Sequence, residues 1–204
     1  MLRFEIYHKS KKYNLTNNKV FYSCFLIGVT SVMFGNIIGL KEVYLNAAGY
    51  FGFIGYAIGI LARGIGFFIR QPLRGTLDGF IELNMSGIKI DQKYYPLSEI
   101  KKINISNDDY YGKRINLNRL SLNSTISNGV NNELEITLNS GAIEKCYFQL
   151  YYPDDLQKNK NELINYYKAE KLDIDILTNT LGIEKNEVEE FKKNIQMIMT
   201  MKHI

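Results

Sequence analysis

The sequence predicts an α+β protein with an N-terminal transmembrane α-hairpin, an antiparallel β domain closed by one helix, and a C-terminal helical extension. Two long apolar stretches, 20–40 and 43–62, follow each other closely. From Thr76 onward, short runs of alternating apolar and polar residues are separated by turn-forming residues, a pattern typical of strands. After Pro153 the apolar residues recur at helical spacing instead, which favours a helix.

Each apolar stretch is long enough to cross a bilayer. At about 1.5 Å per residue, a helix of this length reaches roughly 30 Å, the thickness of the hydrocarbon core. A single Lys and a single Glu separate the stretches, so two antiparallel helices at about 20–40 and 43–66 are expected within 20–69. The alternatives are a signal peptide and the buried core of a soluble protein. The basic leader that extends to Lys19 disfavours the first, and the aromatic ends of the stretches disfavour the second.

Basic residues are concentrated around the apolar stretches. Residues 1–70 contain eight basic and two acidic residues, whereas residues 71–204 contain 17 basic and 19 acidic ones. Because Lys and Arg are retained on the cytoplasmic side, we expect a two-pass protein of the inner (cytoplasmic) membrane with both termini in the cytoplasm. The flanking basic residues are Lys9, Lys11, Lys12, Lys19, Arg63, Arg70 and Arg74. Nucleic-acid binding is disfavoured, since it usually requires positive charge on the folded domain.

Small residues recur at helical spacing in the second apolar stretch. They are Ala48, Gly52, Gly55 and Gly59. Pairs of small residues four positions apart let two helices approach closely in lipid. Packing within the hairpin and a contact between two copies of the chain are both consistent with this pattern, and so is the absence of any specific role.

Residues 76–169 predict one compact β domain. Its short strand-like runs are joined by turn sequences such as 84–87, so an antiparallel meander is expected. The clearest alternation runs from Glu133 to Leu138. Pro153 and the two aspartates after it predict the start of a helix. Six or seven short strands closed by one amphipathic helix is the plan of a pleckstrin-homology (PH)-like barrel.

Several segments together resemble a known group of proteins. They are Phe4-Glu5-Ile6-Tyr7 with Ser10-Lys11-Lys12, the two apolar stretches, Ile81-Glu82-Leu83-Asn84-Met85-Ser86-Gly87-Ile88, and Tyr95-Pro96-Leu97-Ser98-Glu99-Ile100-Lys101-Lys102-Ile103. Over roughly residues 3–168 the chain is similar to small bacterial membrane proteins with two transmembrane helices, a cytoplasmic PH-like domain and no assigned activity. The group usually has an aromatic residue near Leu97, which this chain lacks. The resemblance implies a fold and a topology but no catalytic residues.

Residues 171–204 predict two helices joined by a turn at Gly182, the spacing of a helix-turn-helix. A recognition helix should be basic, but this one contains four Glu and three Lys, which disfavours DNA binding. The last helix has an apolar stripe that could pair with a partner helix or a second copy, or could pack against the domain. The stripe consists of Val188, Phe191, Ile195 and Ile198.

No residue pattern indicates an enzyme. The two histidines, His8 and His203, stand far from other metal-ligating residues in the sequence, and the acidic pairs 108–109 and 154–155 lie where a turn and a helix start are expected. No Gly-rich phosphate loop follows a predicted strand. We therefore expect no catalytic, metal or cofactor site and no small-molecule substrate.

The predicted organisation is a basic tail (1–19), the hairpin (20–69), the PH-like domain (76–169) and the helical extension (171–204). It predicts a membrane-anchored, non-enzymatic interaction or scaffold module on the cytoplasmic face. Its expected partners are the lipid bilayer and either a protein partner or a second copy in a homo-oligomer. The alternative is a membrane-bound regulator that contacts DNA or a transcription factor through the C-terminal helices. A transporter would need polar groups along one face of the apolar stretches, and the sequence does not place them there.

Overall fold

The computed structural model describes residues 3–11, 17–39, 41–66, 68–115 and 125–201. The chain forms two compact units. The sheet unit comprises Met1–Ser10, Leu73–Lys113 and Asn128–Ile204, and the helical unit comprises Lys11–Pro72 and Arg114–Ser127.

A seven-stranded antiparallel sheet forms the centre of the sheet unit, in the order β4-β3-β2-β1-β9-β8-β5. Its strands are β1 (Arg3–Lys9), β2 (Gly75–Asn84), β3 (Gly87–Ile90), β4 (Lys93–Pro96), β5 (Ile100–Ser106), β8 (Asn132–Leu138) and β9 (Ile143–Phe148). Two further strands, β6 (Tyr111–Arg114) and β7 (Ile126–Asn128), form a separate pair. The helices are α1 (Asn17–Ile37), α2 (Glu42–Gly66), a 3₁₀ helix (Asp155–Asn159), α3 (Lys160–Lys168), α4 (Ile174–Leu181) and α5 (Val188–Met201).

The fold class predicted from the sequence, a transmembrane hairpin followed by a PH-like barrel closed by one helix, is wrong. The first strand, β1, precedes both long helices and lies inside the sheet between β2 and β9. Three α-helices and a 3₁₀ helix, not one helix, follow the last strand. Over the residues that the structure describes, it is a mixed α+β fold with no clear N-terminal two-helix transmembrane hairpin.

Among the described residues, one helical segment, Glu42–Leu61 in α2, is long and apolar enough to cross a membrane. This test alone does not establish a membrane span, because core helices of soluble proteins also pass it. Helix α1 begins with the polar residues Asn17, Asn18 and Lys19 and also contains Thr30 and Asn36. The Thr30 hydroxyl donates to the carbonyl oxygen of Leu26 at 2.8 Å.

Strand β1 joins two parts of the sheet that are far apart in sequence. It pairs antiparallel with β2, from Arg3 opposite Glu82 to Lys9 opposite Gly75, and with β9 at Ile6 opposite Phe148. Just beyond the strand, the Ser10 N–H donates to the carbonyl oxygen of Arg74 at 2.9 Å. The chain therefore leaves the sheet unit after Ser10 and re-enters it at Leu73, next to the point where it left.

The core of the sheet unit lies between the inner face of the sheet and the helices that follow β9. Alternate residues of the strands point into it, as expected for a half-buried sheet. Its fully buried side chains include Ile88, Ile100, Ile103, Ile136, Leu163, Tyr166 and Leu177, each 0% exposed. Apolar burial of this kind is the main stabilising contribution to such a fold.

Two local features determine the direction of the chain after β9: a buried carboxylate before the 3₁₀ helix and a glycine at the end of α4. The buried Asp155 carboxylate accepts the N–H groups of Tyr151 and Tyr152 at 3.0 and 2.8 Å, which fixes the turn that begins the 3₁₀ helix. At the other end, α4 stops at Gly182, whose φ of +68° suits glycine. The first feature leads the chain into the 3₁₀ helix and α3, and the second ends α4 before α5 begins.

A buried polar clamp holds the start of β8. Asn132 is 0% exposed, and its Oδ1 accepts the N–H of Asp109 at 3.0 Å. Its Nδ2 donates to the carbonyl oxygens of Gly129 at 2.9 Å and Phe148 at 3.2 Å. Gly129 has a φ of +71°, and a Cβ there would lie 2.3 Å from the Leu150 carbonyl oxygen. One amide thus ties together three segments of backbone.

We expect Asn132→Ala to lower the free energy of unfolding by about 3 kcal/mol, because the buried Asp109 N–H loses this acceptor and the carbonyl oxygens of Gly129 and Phe148 each lose one donor. Urea denaturation followed by circular dichroism measures this loss. The matched control is Asn139→Ala, since the Asn139 side chain is exposed and donates only to the carbonyl oxygen of Ser98, at 2.7 Å. The control should cost less than about 1 kcal/mol. Equal losses of unfolding free energy in the two variants would contradict the stabilising role of the buried Asn132 amide.

The stability of the sheet unit should fall at alkaline pH because of Cys146. Burial raises the pKa of the Cys146 thiol from 9.0 to about 12. The folded state therefore favours the neutral thiol, so this contribution is complete below pH 9 and is lost as the pH rises toward 12. Between pH 8 and pH 10 the loss should be about 1.4 kcal/mol. Measured by urea denaturation at both pH values, Cys146→Ala should lose less stability than the wild type, and an unchanged loss would exclude this thiol as its source.

Candidate functional surface of the helical unit

Helices α1 and α2 present an extensive exposed apolar surface, which we call the apolar surface. Its members are large aliphatic and aromatic side chains that are at least two-fifths exposed. They are Tyr22, Phe25, Leu26, Ile27, Val29, Met33, Phe34, Ile37, Val43, Tyr44, Tyr50, Phe53, Ile54, Tyr56, Ile58, Ile60, Leu61 and Ile65. Only 6% of the apolar window in α2 is buried. Soluble monomers rarely expose contiguous apolar patches of this extent, so such a surface usually contacts another molecule or a membrane.

One of the small residues predicted to serve helix packing lies at a contact within the helical unit. Gly59 is buried, and a Cβ at this position would come within 2.1 Å of the Phe21 ring. Its lack of a side chain therefore makes room for an aromatic ring of α1. At Gly52 and Gly55 an added Cβ would meet no described atom within 4 Å. The side chain of Ala48 lies outside the described part of the structure.

The predicted flanking basic residues lie before α1 and after α2, or close to the outer ends of these helices. Lys9 ends β1, Lys19 lies in the first turn of α1, and both side chains are exposed, as is that of Lys11. Arg70 forms a parallel bridge with Ile126, and the carbonyl of Arg74 accepts the N–H of Ser10. Lys12 and the side chain of Arg63 lie outside the described residues.

The apolar stripe of α5 contacts the sheet unit. Ile195 is 2% exposed and belongs to the core, and Phe191 packs against that core. The Nζ of Lys160 also lies 5.8 Å from the centre of the Phe191 ring. Val188 is half-buried, and the Ile198 side chain is not described. Since Phe191 and Ile195 are occupied in this packing, the stripe offers a partner little apolar area.

Sequence patterns did not indicate that the basic residue Arg114 belongs to the helical unit. The helical unit includes Arg114–Ser127, a segment that the sequence assigned to the β domain. It contains Arg114 and Arg119 and no acidic residue. That absence of acidic residues was the available signal, but nothing in the sequence indicates that Ile126 pairs with Arg70.

Polar clusters in the sheet unit have structural roles. The Lys93 Nζ lies 2.9 Å from the Glu144 carboxylate and 4.8 Å from the centre of the Tyr95 ring, which ties β4 to β9. The hydrogen bond from Lys93 lowers the pKa of the Glu144 carboxyl group. Within the described ranges, no group of three or more His, Cys, Asp or Glu side chains could hold a metal ion.

Comparison with known proteins adds no relative. No protein-family model, no curated protein and no solved structure matches this chain. The resemblance to small bacterial membrane proteins and the expected partners therefore stay predictions.

Proposed function

We propose that the protein is a non-enzymatic interaction module held at the cytoplasmic face of the cell membrane by its helical unit, with the sheet unit available to a protein partner or a second copy. The observation that supports this most directly is the apolar surface of α1 and α2. Transfer of this surface from water into lipid lowers the free energy by roughly 25 cal/mol per Å² of apolar area. Summed over two long helices, this contribution favours stable association with a membrane.

The point at which the chain leaves and re-enters the sheet unit supports one orientation. Ser10 and Arg74 are hydrogen-bonded to each other, so they lie on the same side of any membrane. The intervening segment must cross an even number of times or lie on the surface. The basic residues at both of its ends, including Lys9, Lys11 and Arg70, favour the cytoplasmic side.

A cluster of tyrosines supports a protein contact by the sheet unit. The rings of Tyr111 and Tyr151 lie 5.8 Å apart, and these residues are 37% and 49% exposed. Tyr152 beside them is 62% exposed. The hydroxyl of Tyr151 donates to Glu5 at 3.1 Å, which orients its ring. Tyrosine is enriched in protein interfaces because its ring is apolar while its hydroxyl stays hydrated or bonded.

The alternative of DNA contact by the C-terminal helices has no observation in its favour. The first turn of α5 contains Glu189 and Glu190, and the Glu189 side chain is 76% exposed. Lys192 is paired with Glu189 at 2.8 Å. The two Glu and two Lys of α5 balance each other, so the helix offers phosphates no net positive charge.

Fractionation of cells that express the full chain tests the proposal. We expect the protein in the membrane pellet, retained after a high-salt wash and released by detergent, because apolar contacts do not depend on ionic strength. Recovery in the soluble fraction at physiological salt would contradict the proposal.

Cysteine labelling in a Cys24→Ser background tests the orientation. Lys101→Cys, at an exposed position of β5, should react with a membrane-impermeant maleimide only after cell lysis. Labelling of Lys101→Cys in intact cells would place the sheet unit outside and contradict the cytoplasmic location. Lys41→Cys, between α1 and α2, reports in the same assay whether the segment reaches the far side of the membrane.

A further inference from the structure

Charge is divided unequally between the two units. The helical unit contains eight basic residues and one acidic residue, so its net charge is +7. The sheet unit contains 17 basic and 20 acidic residues, a net charge of −3. The unit with the apolar surface is therefore also the unit with the positive charge.

Backbone pairing brings two basic segments together in the helical unit. Ile126 forms a parallel bridge with Arg70, and the N–H of Gln71 donates to the Ile126 carbonyl oxygen at 2.8 Å. The preceding residue, Thr125, accepts the N–H of Ile115 at 2.7 Å. Arg70 and Arg114 thus lie on backbones that flank the same short segment, roughly 10 Å apart at the usual strand spacing. Both side chains are exposed.

Apolar side chains adjoin this basic site. Phe68 is 82% exposed and Ile69 is 52% exposed, and both immediately precede Arg70 after the end of α2. An aromatic residue next to Arg at the end of an apolar helix is the arrangement found at the level of lipid headgroups. The exposed aliphatic side chain of Ile69 cannot stack on a base as an aromatic ring does, so its position beside Arg70 favours a lipid surface over nucleic acid.

We propose that Arg70 and Arg114 bind the phosphates of anionic phospholipid headgroups, so that the helical unit prefers an anionic bilayer. The inference rests on the proposed membrane association and adds its lipid class. Juxtamembrane basic side chains gain attraction from an anionic leaflet, and this attraction is screened by salt. Phe68 and Ile69 enter the interface beside the two guanidinium groups.

Flotation with vesicles tests the inference. Full-length protein in detergent is diluted below the critical micelle concentration into vesicles of phosphatidylcholine, or of phosphatidylcholine mixed with phosphatidylglycerol. The wild type should bind both and prefer the anionic vesicles at low salt. Arg70→Gln/Arg114→Gln should reduce binding to the anionic vesicles by roughly 30-fold and leave binding to phosphatidylcholine unchanged. High salt should remove the preference of the wild type.

The matched control is Lys101→Gln/Lys185→Gln, which removes two exposed charges from the sheet unit. It should keep the anionic preference, and an equal loss in both double variants would overturn the site. Equal binding of the wild type to both vesicles would overturn the inference but leave the membrane proposal intact, whereas failure to bind either would contradict the membrane proposal as well. Binding of the wild type to duplex DNA without vesicles, lost in the Arg70/Arg114 variant, would assign the site to nucleic acid and overturn the lipid inference.

Discussion

The double variant Ile54→Asp/Ile58→Asp is expected to leave the membrane fraction and appear in the soluble fraction. The two side chains lie four residues apart on α2 and therefore on one helix face, and they are 53% and 59% exposed. If this face contacts lipid, each carboxylate raises the free energy of the membrane-bound state by about 3 kcal/mol near the bilayer centre. Together these costs shift the distribution between membrane and water by more than about a thousandfold.

Ile143→Asp is the matched control for this variant. Ile143 is 61% exposed on β9 of the sheet unit, so a single Ile→Asp change is made at a comparably exposed position outside the apolar surface. The control should stay in the membrane pellet. Retention of the α2 variant, or release of both variants, would mean that the apolar surface does not hold the protein at the membrane.

Replacing Tyr166 by alanine is expected to lower the free energy of unfolding of the sheet unit by about 4 kcal/mol. Tyr166 is 0% exposed in the last turn of α3, and loss of its ring would leave a cavity in the core. Its hydroxyl lies 2.7 Å from the carbonyl oxygen of Asn84 and 3.1 Å from that of Gly87. The neighbouring Asn165 donates to the carbonyl oxygen of Met85 at 2.6 Å. Helix α3 is thus joined to the turn between β2 and β3.

Tyr166→Phe separates the hydroxyl from the ring. This variant keeps the ring and removes the donor to buried carbonyls, so a loss of about 1.5 kcal/mol is expected. Urea denaturation in detergent, followed by circular dichroism, measures both variants. Tyr152→Ala serves as the control, since Tyr152 is 62% exposed, and should cost no more than about 0.5 kcal/mol. If Tyr166→Phe were as stable as the wild type, the hydroxyl would have no part in joining α3 to the sheet.

Burial of the Tyr166 ring also raises the pKa of its hydroxyl above the usual tyrosine value. The neutral form is favoured in the folded state, so the stabilisation is complete below about pH 10 and falls as the pH rises further. In Tyr166→Phe this part of the alkaline loss should be absent.

Local patterns in the sequence predicted several elements well. The alternation from Glu133 to Leu138 predicted a strand, and β8 (Asn132–Leu138) confirms it. The two C-terminal helices and the turn at Gly182 are also confirmed. In each case the signal lies within one short segment, because the period of apolar residues and a glycine with positive φ are properties of neighbouring residues.

Long-range pairing is where the prediction was wrong. The alternation Phe4-Glu5-Ile6-Tyr7 is too short to indicate a central strand, and its partners lie beyond the helical segment. The bridge from Arg70 to Ile126, which completes the basic site, is equally invisible to local periodicity. The stripe on α5 has the same spacing whether it faces a core or a partner, so only the burial of Ile195 shows the contact that it makes.

The position of β1 in the sheet also sets the order in which the protein can be completed during synthesis. Strand β1 is synthesised before both long helices, but its neighbours β2 and β9 end only at Asn84 and Phe148. The central strand β1 can complete its pairing only after β9, the last strand of the sheet in sequence, has been synthesised, and contacts of such long sequence separation form slowly. Both long helices are already synthesised by then, so α1 and α2 can fold and bind whatever covers their apolar surface before the sheet unit has folded.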